Sequence, residues 1–188
     1  MIVHKLTPEL VDKLRPVSDA SLVGEEVMLR IGRAGFTLGY VPLPRAEWRS
    51  FPAEPMADPN LLLRLPQAAM FAAFEDDGSF VGQAAVMADA VTQWARIIDI
   101  RVDAAHRRTG VASLLLESCQ GFAEKQGMRG LTIHVTDTNP AACQFCEHRG
   151  FALQGMDRLA LAYTDAERDK PLARRACQLF FYRTNQKG

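Results

Sequence analysis

Three runs, Ile97-Ile-Asp-Ile-Arg-Val102, Arg107-Arg-Thr-Gly-Val-Ala112 and Leu131-Thr-Ile-His-Val135, follow one another in this chain, and their order decides the fold. The first predicts a strand over Arg96–Val102, with Ile98, Ile100 and Val102 on one face and Asp99 and Arg101 on the other. A helix over Gly110–Gln126 follows, because Val111, Leu115, Cys119 and Phe122 recur at helical spacing with Leu114 and Ala123 flanking the stripe. Gly127 ends it. Leu131, Ile133 and Val135 then mark a strand whose other face carries Thr132, His134 and Thr136. Asn139-Pro140 suits an N-cap followed by proline and opens a second helix that closes at Gly150. A strand–helix–strand–helix core inside a strand-rich chain predicts an α/β fold with a mixed sheet.

Outward from this core the pattern is readable in parts. Met1–Leu6 reads as a first strand, and Pro8–Leu14 as a short helix with Thr7 as N-cap. Phe36–Leu43 reads as a strand or extended segment, and Pro42–Pro59, rich in proline, as an irregular connection that could wall the substrate side. Met70–Phe74 and Phe80–Met87 are strand-like runs separated by the turn formers Glu75-Asp-Asp-Gly78. Phe151–Leu161 and Cys177–Arg183 are read as the last strands. Thr164–Arg175, with the charged run Glu167–Lys170, is read between them as a solvated loop or short helix. Trp48 and Trp94 are read as core or interface fillers.

The chain has 188 residues, suited to one domain, and 48% of them are hydrophobic, enough for a core without metal or disulfide staples. Basic and acidic residues balance at 22 each, which argues against nucleic-acid binding through bulk charge. The start lacks the basic and apolar stretches of a signal peptide, and Leu61–Phe74 is broken by Arg64 and Pro66. A cytoplasmic protein with no membrane partner is the expectation. Cys119, Cys143, Cys146 and Cys177 are then reduced thiols. Cys143-Gln-Phe-Cys146 with His148 has no second ligand pair, so buried helix cysteines, and no metal, are expected.

Chemistry concentrates at Arg107–Ala112. Successive backbone N–H groups at a helix start lack internal partners and favour an anion. Gly110 permits a tight turn and the approach of a phosphate, small Ala112 leaves room, and Arg107 or Arg108 can add a charge-assisted bond. Neither a Gly-x4-Gly-Lys loop nor a Gly-x-Gly-x-x-Gly pattern is present.

Arg107-x-x-Gly110-x-Ala112 resembles the pyrophosphate-loop signature of the GCN5-related N-acetyltransferases (GNAT superfamily). Ile97–Val102 is similar to the strand before that loop, and Asn139–Phe151 to the family's closing helix. Phe36–Leu43, Trp94, Asp99-Ile100, Val102 and Gly155-Met-Asp157 resemble the streptothricin acetyltransferase branch more closely. The resemblance implies a single acetyltransferase domain over 1–188, built on a mixed, splayed central sheet flanked by helices. It implies acetyl-CoA as the cofactor. Backbone groups along Ile100, Arg101 and Val102 would bond the pantetheine arm. The loop Arg107, Arg108, Thr109, Gly110, Val111 and Ala112 would hold the pyrophosphate, Asn139 would fix the pantetheine, and Phe145 would line its channel. The implied chemistry is direct attack of a neutral amine on the thioester, without metal; a homodimer is implied by analogy alone.

Three positions depart from the family pattern. Cys146 replaces the tyrosine that protonates the leaving thiolate, Ile98-Asp99 stands where the branch shows Glu-Asp, and His134 stands where it shows Glu. Cys146 is either a substitute acid or a buried thiol. His134 is either a general base acting through water or a ring packed in the sheet. Asp99 either polarises the amine or pairs with Arg101. Three functions follow: acetylation of a small amine (streptothricin-like antibiotic, polyamine or amino acid), acetylation of a protein N-terminus or lysine, or acyl-CoA sensing without catalysis.

Overall fold

Leu6, Met70, Ala72, Phe74, Ala85 and Ile98 share one buried cluster, so the alternation read around residues 70–100 is realised as sheet. The structure, a computed structural model, describes residues 1–33, 35–51, 57–161 and 176–185. The chain is α/β; among the described residues seven strands form a mixed sheet and two a separate sheet. Its described residues fall in two compact units, one from 1–19, 57–131 and 184–185, the other from 20–51, 132–161 and 176–183.

In the first unit β1 (Ile2–Lys5), β4 (Ala68–Phe74), β5 (Phe80–Asp89) and β6 (Trp94–Val102) lie side by side, each antiparallel to its neighbour. β4 is buried throughout, as its run of Ala, Met and Phe demands. One face is covered by Leu10, Val11 and Leu14 around α1 (Pro8–Val11) and by Leu62, Leu63 and Leu65 around α2 (Pro59–Leu62). The predicted helix Pro8–Leu14 is therefore shorter, and Thr7 makes no side-chain cap. Packed on β1, β4, β5 and β6 is α3 (Val111–Lys125), which buries Val111, Leu115, Leu116, Cys119, Phe122 and Ala123. Gly127, at φ 67°, terminates it: Met128 N–H bonds the Ala123 carbonyl and Gly127 N–H that of Glu124.

Strict alternation along β6 does not hold. Ala85 lies opposite Asp99 but Val86 opposite Ile97, so Ile98 is an extra, bulged residue. Ile97, Ile98 and Asp99 are buried in succession as a result.

The second unit holds β7 (Gly130–Thr136, whose first two residues lie in the first unit), then β9 (Gln178–Thr184) and β8 (Ala152–Asp157) in that order, with β8 and β9 antiparallel. Its helix is α4 (Pro140–His148), ended by Gly150 at φ 75° in the same way as α3. The unit also contains a long hairpin, β2 (Ala20–Gly32) paired with β3 (Gly35–Ser50). Here the expectation of an irregular connection from Pro42 is corrected. β3 continues through Pro42 and Pro44 to Ser50, because its partner strand skips from Val23↔Glu47 to Glu25↔Pro42 and the extra residues are accommodated as a bulge. The predicted strand Phe151–Leu161 stops at Asp157, whose carboxylate accepts from Leu159 and Ala160 N–H. The segment 164–175 lies outside the described residues.

Candidate functional site

Beyond β6, the chain is tied down bond by bond into a loop that ends on α3. Asp103 N–H bonds the Val81 carbonyl at 2.8 Å. The Asp103 carboxylate accepts from Ala105 N–H at 3.0 Å and contacts His106 Nδ1 at 3.1 Å, capping a single 3-10 turn, Ala104–His106. The His106 contact, first among several, holds the Asp103 carboxyl below its ordinary range. Thr109 Oγ1 donates to the His106 carbonyl at 2.7 Å. Arg108 (φ 68°) and Gly110 (φ 97°) then take left-handed backbone conformations that swing the chain into α3.

The result is an open N-terminus. No side chain caps α3 at Gly110; the Gly110 carbonyl accepts from Ser113 and Leu114 N–H, while the N–H groups of Val111 and Ala112 have no acceptor among the described residues. A Cβ placed at Gly110 would meet nothing within 4 Å, so the space above the glycine is free. Unpaired N–H groups, the helix dipole and open space together suit a phosphate.

The two arginines do different jobs. Arg107 donates from Nε to the Val102 carbonyl at 3.2 Å and from Nη2 to the Ser18 carbonyl at 3.1 Å, so it staples the loop to the end of β6. Arg108 is exposed and has no partner among the described residues, which leaves it as the cation free to meet an anion.

Gly82 was not singled out in the sequence, yet it sets where this loop starts. It sits opposite Val102, and a Cβ there would stand 2.7 Å from the Arg101 carbonyl oxygen and 3.3 Å from Val111 Cγ1. Only glycine lets β5, β6 and the first turn of α3 converge. A lone glycine inside the apolar run Phe80–Met87 was the available signal.

Asp99 lies beside this framework, buried on β6. Arg101 Nε donates to one carboxylate oxygen at 2.6 Å and Gln83 Nε2 to the other at 2.8 Å. Of the two readings of Asp99, the structure contains the pairing with Arg101. Ile100, Arg101 and Val102 form the end of β6, facing Ala84, Gln83 and Gly82 of β5.

The other candidates lie in the second unit. Asn139 caps α4: its side-chain oxygen accepts from Ala142 N–H at 3.1 Å, and its own N–H bonds the Thr136 carbonyl. Arg49 of the hairpin donates to the Thr138 carbonyl at 3.0 Å. Phe145 is half-buried, with the Arg149 guanidinium 5.9 Å from its ring. His134 is half-buried on β7, its ring centroid 4.6 Å from that of Phe180.

Cys146 is fully buried, and burial pushes its thiol well above the ordinary range; neighbouring Cys143 is pushed up to about 12 for the same reason. Of the two readings of Cys146, the structure contains the buried thiol. Beside these thiols Tyr40 of β3 donates its hydroxyl to Glu147 of α4 at 2.5 Å. Burial first, and that bond second, raise the phenol far above its usual value. No sequence signal joins Tyr40 to a partner 107 residues away. All four cysteines are free and buried, and among the described residues no group of three or more His, Cys, Asp or Glu side chains is placed to hold a metal. Nor is any helix among them long and apolar enough to cross a membrane.

Bare N–H groups at a strand-to-helix loop of an α/β chain suit the phosphates of a nucleotide or coenzyme. The chain matches the model of the Acetyltransferase (GNAT) family over residues 40–151, more than half its length, and belongs to that family. It is 33% identical over 102 residues to the streptothricin acetyltransferase of Streptomyces lavendulae, a match covering 54% of this chain and 54% of that one. The chain thus spans about half the length of the curated relative it matches. The fold is shared along nearly the whole chain with a nourseothricin acetyltransferase (TM-score 0.77, 22% identity, 97% of each chain). It is shared likewise with a putative streptothricin acetyltransferase from Bacillus anthracis str. Ames in complex with acetyl coenzyme A (TM-score 0.83, 20% identity, 98% and 99% covered). The ribosomal-protein-S18-alanine N-acetyltransferase from Escherichia coli shares it over 66% of this chain and 74% of that one (TM-score 0.53, 22% identity).

Proposed function

We propose that residues 1–188 act as one N-acetyltransferase domain that binds acetyl-CoA and acetylates an amine of a small molecule, with a streptothricin-like cationic antibiotic as the first substrate class. The observation that carries this reading is the cradle at Gly110, where bare N–H groups face open space beside Arg108. These residues fit a pyrophosphate: the groups from Arg108 to Ala112, Thr109 and Val111 included, would hold it, and Arg107 would keep the loop in shape. Backbone groups along Ile100–Val102 would take the pantetheine arm. The bound coenzyme supplies an acetyl thioester already activated toward amines.

His134 is assigned the task of removing the amine's proton, since an imidazole titrates near neutrality and an amine of pKa about 10 arrives protonated. Asp99 has both carboxylate oxygens engaged by Arg101 and Gln83 and is assigned to holding that part of the sheet. An ordinary thiol has a pKa of about 8.5, so a thiolate is a tolerable leaving group without a dedicated acid, and Cys146 need not act. The streptothricin class is supported by the sequence similarity to the Streptomyces lavendulae enzyme and by a fold shared over nearly the full chain, hairpin included. Free cysteines suit a cytoplasmic setting.

The buried Cys146 favours a second reading, an acyl-CoA sensor without catalysis. Incubation with acetyl-CoA and a panel of streptothricin, polyamines and peptides, read by thiol release, separates the two. Turnover with a cationic small molecule supports the first. Coenzyme binding with no turnover on any amine supports the sensor, and turnover on peptides alone would move the substrate to proteins.

A further inference from the structure

Half of the exposed large apolar side chains among the described residues lie on the β2–β3 hairpin, and four of them share one face. The other face is accounted for within the second unit. There Val23 is buried, Val27 and Leu29 are half-buried, and Tyr40 and Glu25 bond Glu147 and Gln144 of α4. The outward face carries Leu22 opposite Trp48, Glu26 opposite Val41, Met28 opposite Gly39 and Arg30 opposite Thr37. Leu22, Trp48, Val41 and Met28 are 59%, 72%, 48% and 46% exposed. The outer face of an antiparallel pair is ordinarily polar, so an apolar set of this kind marks an interaction surface.

The charges on this face say what covers it. Glu26 and Arg30 flank Met28 by two residues on each side. Separated along the strand by roughly 13 Å at about 3.3 Å per residue, they cannot pair with each other. Neither has a partner among the described residues. The pattern Glu–Met–Arg is self-complementary under one operation: a two-fold axis through Met28, lying in the plane of contact and perpendicular to the strands. That axis sets Glu26 against Arg30 of the partner subunit, and Arg30 against Glu26 of the partner subunit, with Met28 against its own copy. An axis along the strands would oppose like charges instead. Gly39, opposite Met28, contributes no side chain and leaves room at the centre; a Cβ added there would lie 3.8 Å from the Met28 Cβ.

We propose that the outward face of the β2–β3 hairpin is the two-fold interface of a homodimer, centred on Met28 and locked in register by reciprocal Glu26–Arg30 pairs. An interface between copies of one chain is isologous by symmetry, and a reciprocal charge pattern around an apolar centre meets that requirement. Each charge reversal converts two attractive pairs into two repulsive ones.

Sedimentation velocity on the full chain over about 1–100 μM tests this, concentrations that bracket an ordinary weak-to-moderate dimer. The native protein sediments as a dimer. Glu26→Lys or Arg30→Glu alone raises the dimer dissociation constant by about tenfold or more, from pairs of ordinary surface strength acting twice. The double variant E26K/R30E restores it to near the native value, and Met28→Asp abolishes the dimer while far-ultraviolet circular dichroism stays native. A native protein that is monomeric throughout overturns the proposal. So does a dimer indifferent to the single reversals, which would be using another surface, or single reversals that the double variant fails to rescue.

Discussion

Replacing Gly82 with alanine should damage both the stability of the first unit and its hold on the coenzyme, although Gly82 touches no ligand. The added Cβ would stand 2.7 Å from the Arg101 carbonyl oxygen and 3.3 Å from both Val102 Cα and Val111 Cγ1. A carbon sits comfortably about 3.3 Å or more from a carbonyl oxygen, so β5 and β6 must part by roughly 0.6 Å. The atoms in the way are backbone and the first helical side chain, not the free end of a flexible chain. Overpacking of this kind costs about 1–3 kcal/mol. In a chain of this size each kcal/mol lowers Tm by about 2–4 °C, giving a fall of roughly 2–12 °C. Because the displaced groups are the end of β6 and the start of α3, acetyl-CoA should also bind about tenfold more weakly, equivalent to about 1.4 kcal/mol. Gly121→Ala is the control: it lies inside α3 with nothing within 4 Å of a new Cβ, and alanine there should add about 0.5–1 kcal/mol with binding unchanged. Differential scanning calorimetry and coenzyme titration on the two variants supply the comparison. A Gly82→Ala protein melting within about 1 °C of native would refute the packing argument. One that melts low yet binds normally would refute the claim that Gly82 places the cradle.

Asp99→Asn removes the carboxylate from Arg101 and Gln83 and should cost about 1.5–3 kcal/mol, leaving the pH profile of turnover in place; His134→Ala should erase its acidic limb. Lost turnover with unchanged Tm in the Asp99 variant would favour the reading in which Asp99 polarises the amine. The Cys143 thiol is neutral in the fold up to about 12, against an ordinary value near 9, and Cys146 is shifted the same way. The unfolded chain therefore releases these protons first as pH rises. Their contribution is intact below about pH 8.5 and falls by about 1.4 kcal/mol per pH unit for each thiol above it. Urea midpoints at pH 7.5 and 10 should differ accordingly, and less so in a Cys143→Ala/Cys146→Ala variant; equal slopes would remove the thiols as the cause. Tyr40→Phe should cost about 1 kcal/mol through the lost bond to Glu147 and leave the native ultraviolet titration near pH 10 unchanged, because Tyr40 is still protonated there. A missing phenolate signal in the variant would contradict that.

What could be read from the sequence was local. The helix at Gly110, the cap at Asn139 and the glycine stops at Gly127 and Gly150 each depend on residues within a few positions, and the structure has all four. The bulge at Ile98 was not readable, because it is imposed by the register of β5. β2 escaped notice for a related reason. Its alternation of Val23, Glu25, Val27 and Leu29 with exposed Leu22 and Met28 puts apolar residues on both faces, which hides the period of two. At the site, the sequence pointed to Arg107–Ala112 as a candidate phosphate loop but could not divide labour between Arg107 and Arg108, since Arg107 is held by carbonyls of Val102 and Ser18, the latter far away along the chain. Tyr40, Gly82 and the partners of Asp99 depend likewise on contacts between strands.

Titration calorimetry with acetyl-CoA, on the native chain and on Gly110→Asp, asks whether the cradle at Gly110 holds the coenzyme. Position 110 is open, and aspartate tolerates a left-handed backbone better than most residues, so the variant should fold while placing a carboxylate where the pyrophosphate belongs. The native protein should bind saturably and one-to-one, and the folded variant should not bind. A native protein that gives no heat of binding, or a variant that binds as tightly as native, would contradict this.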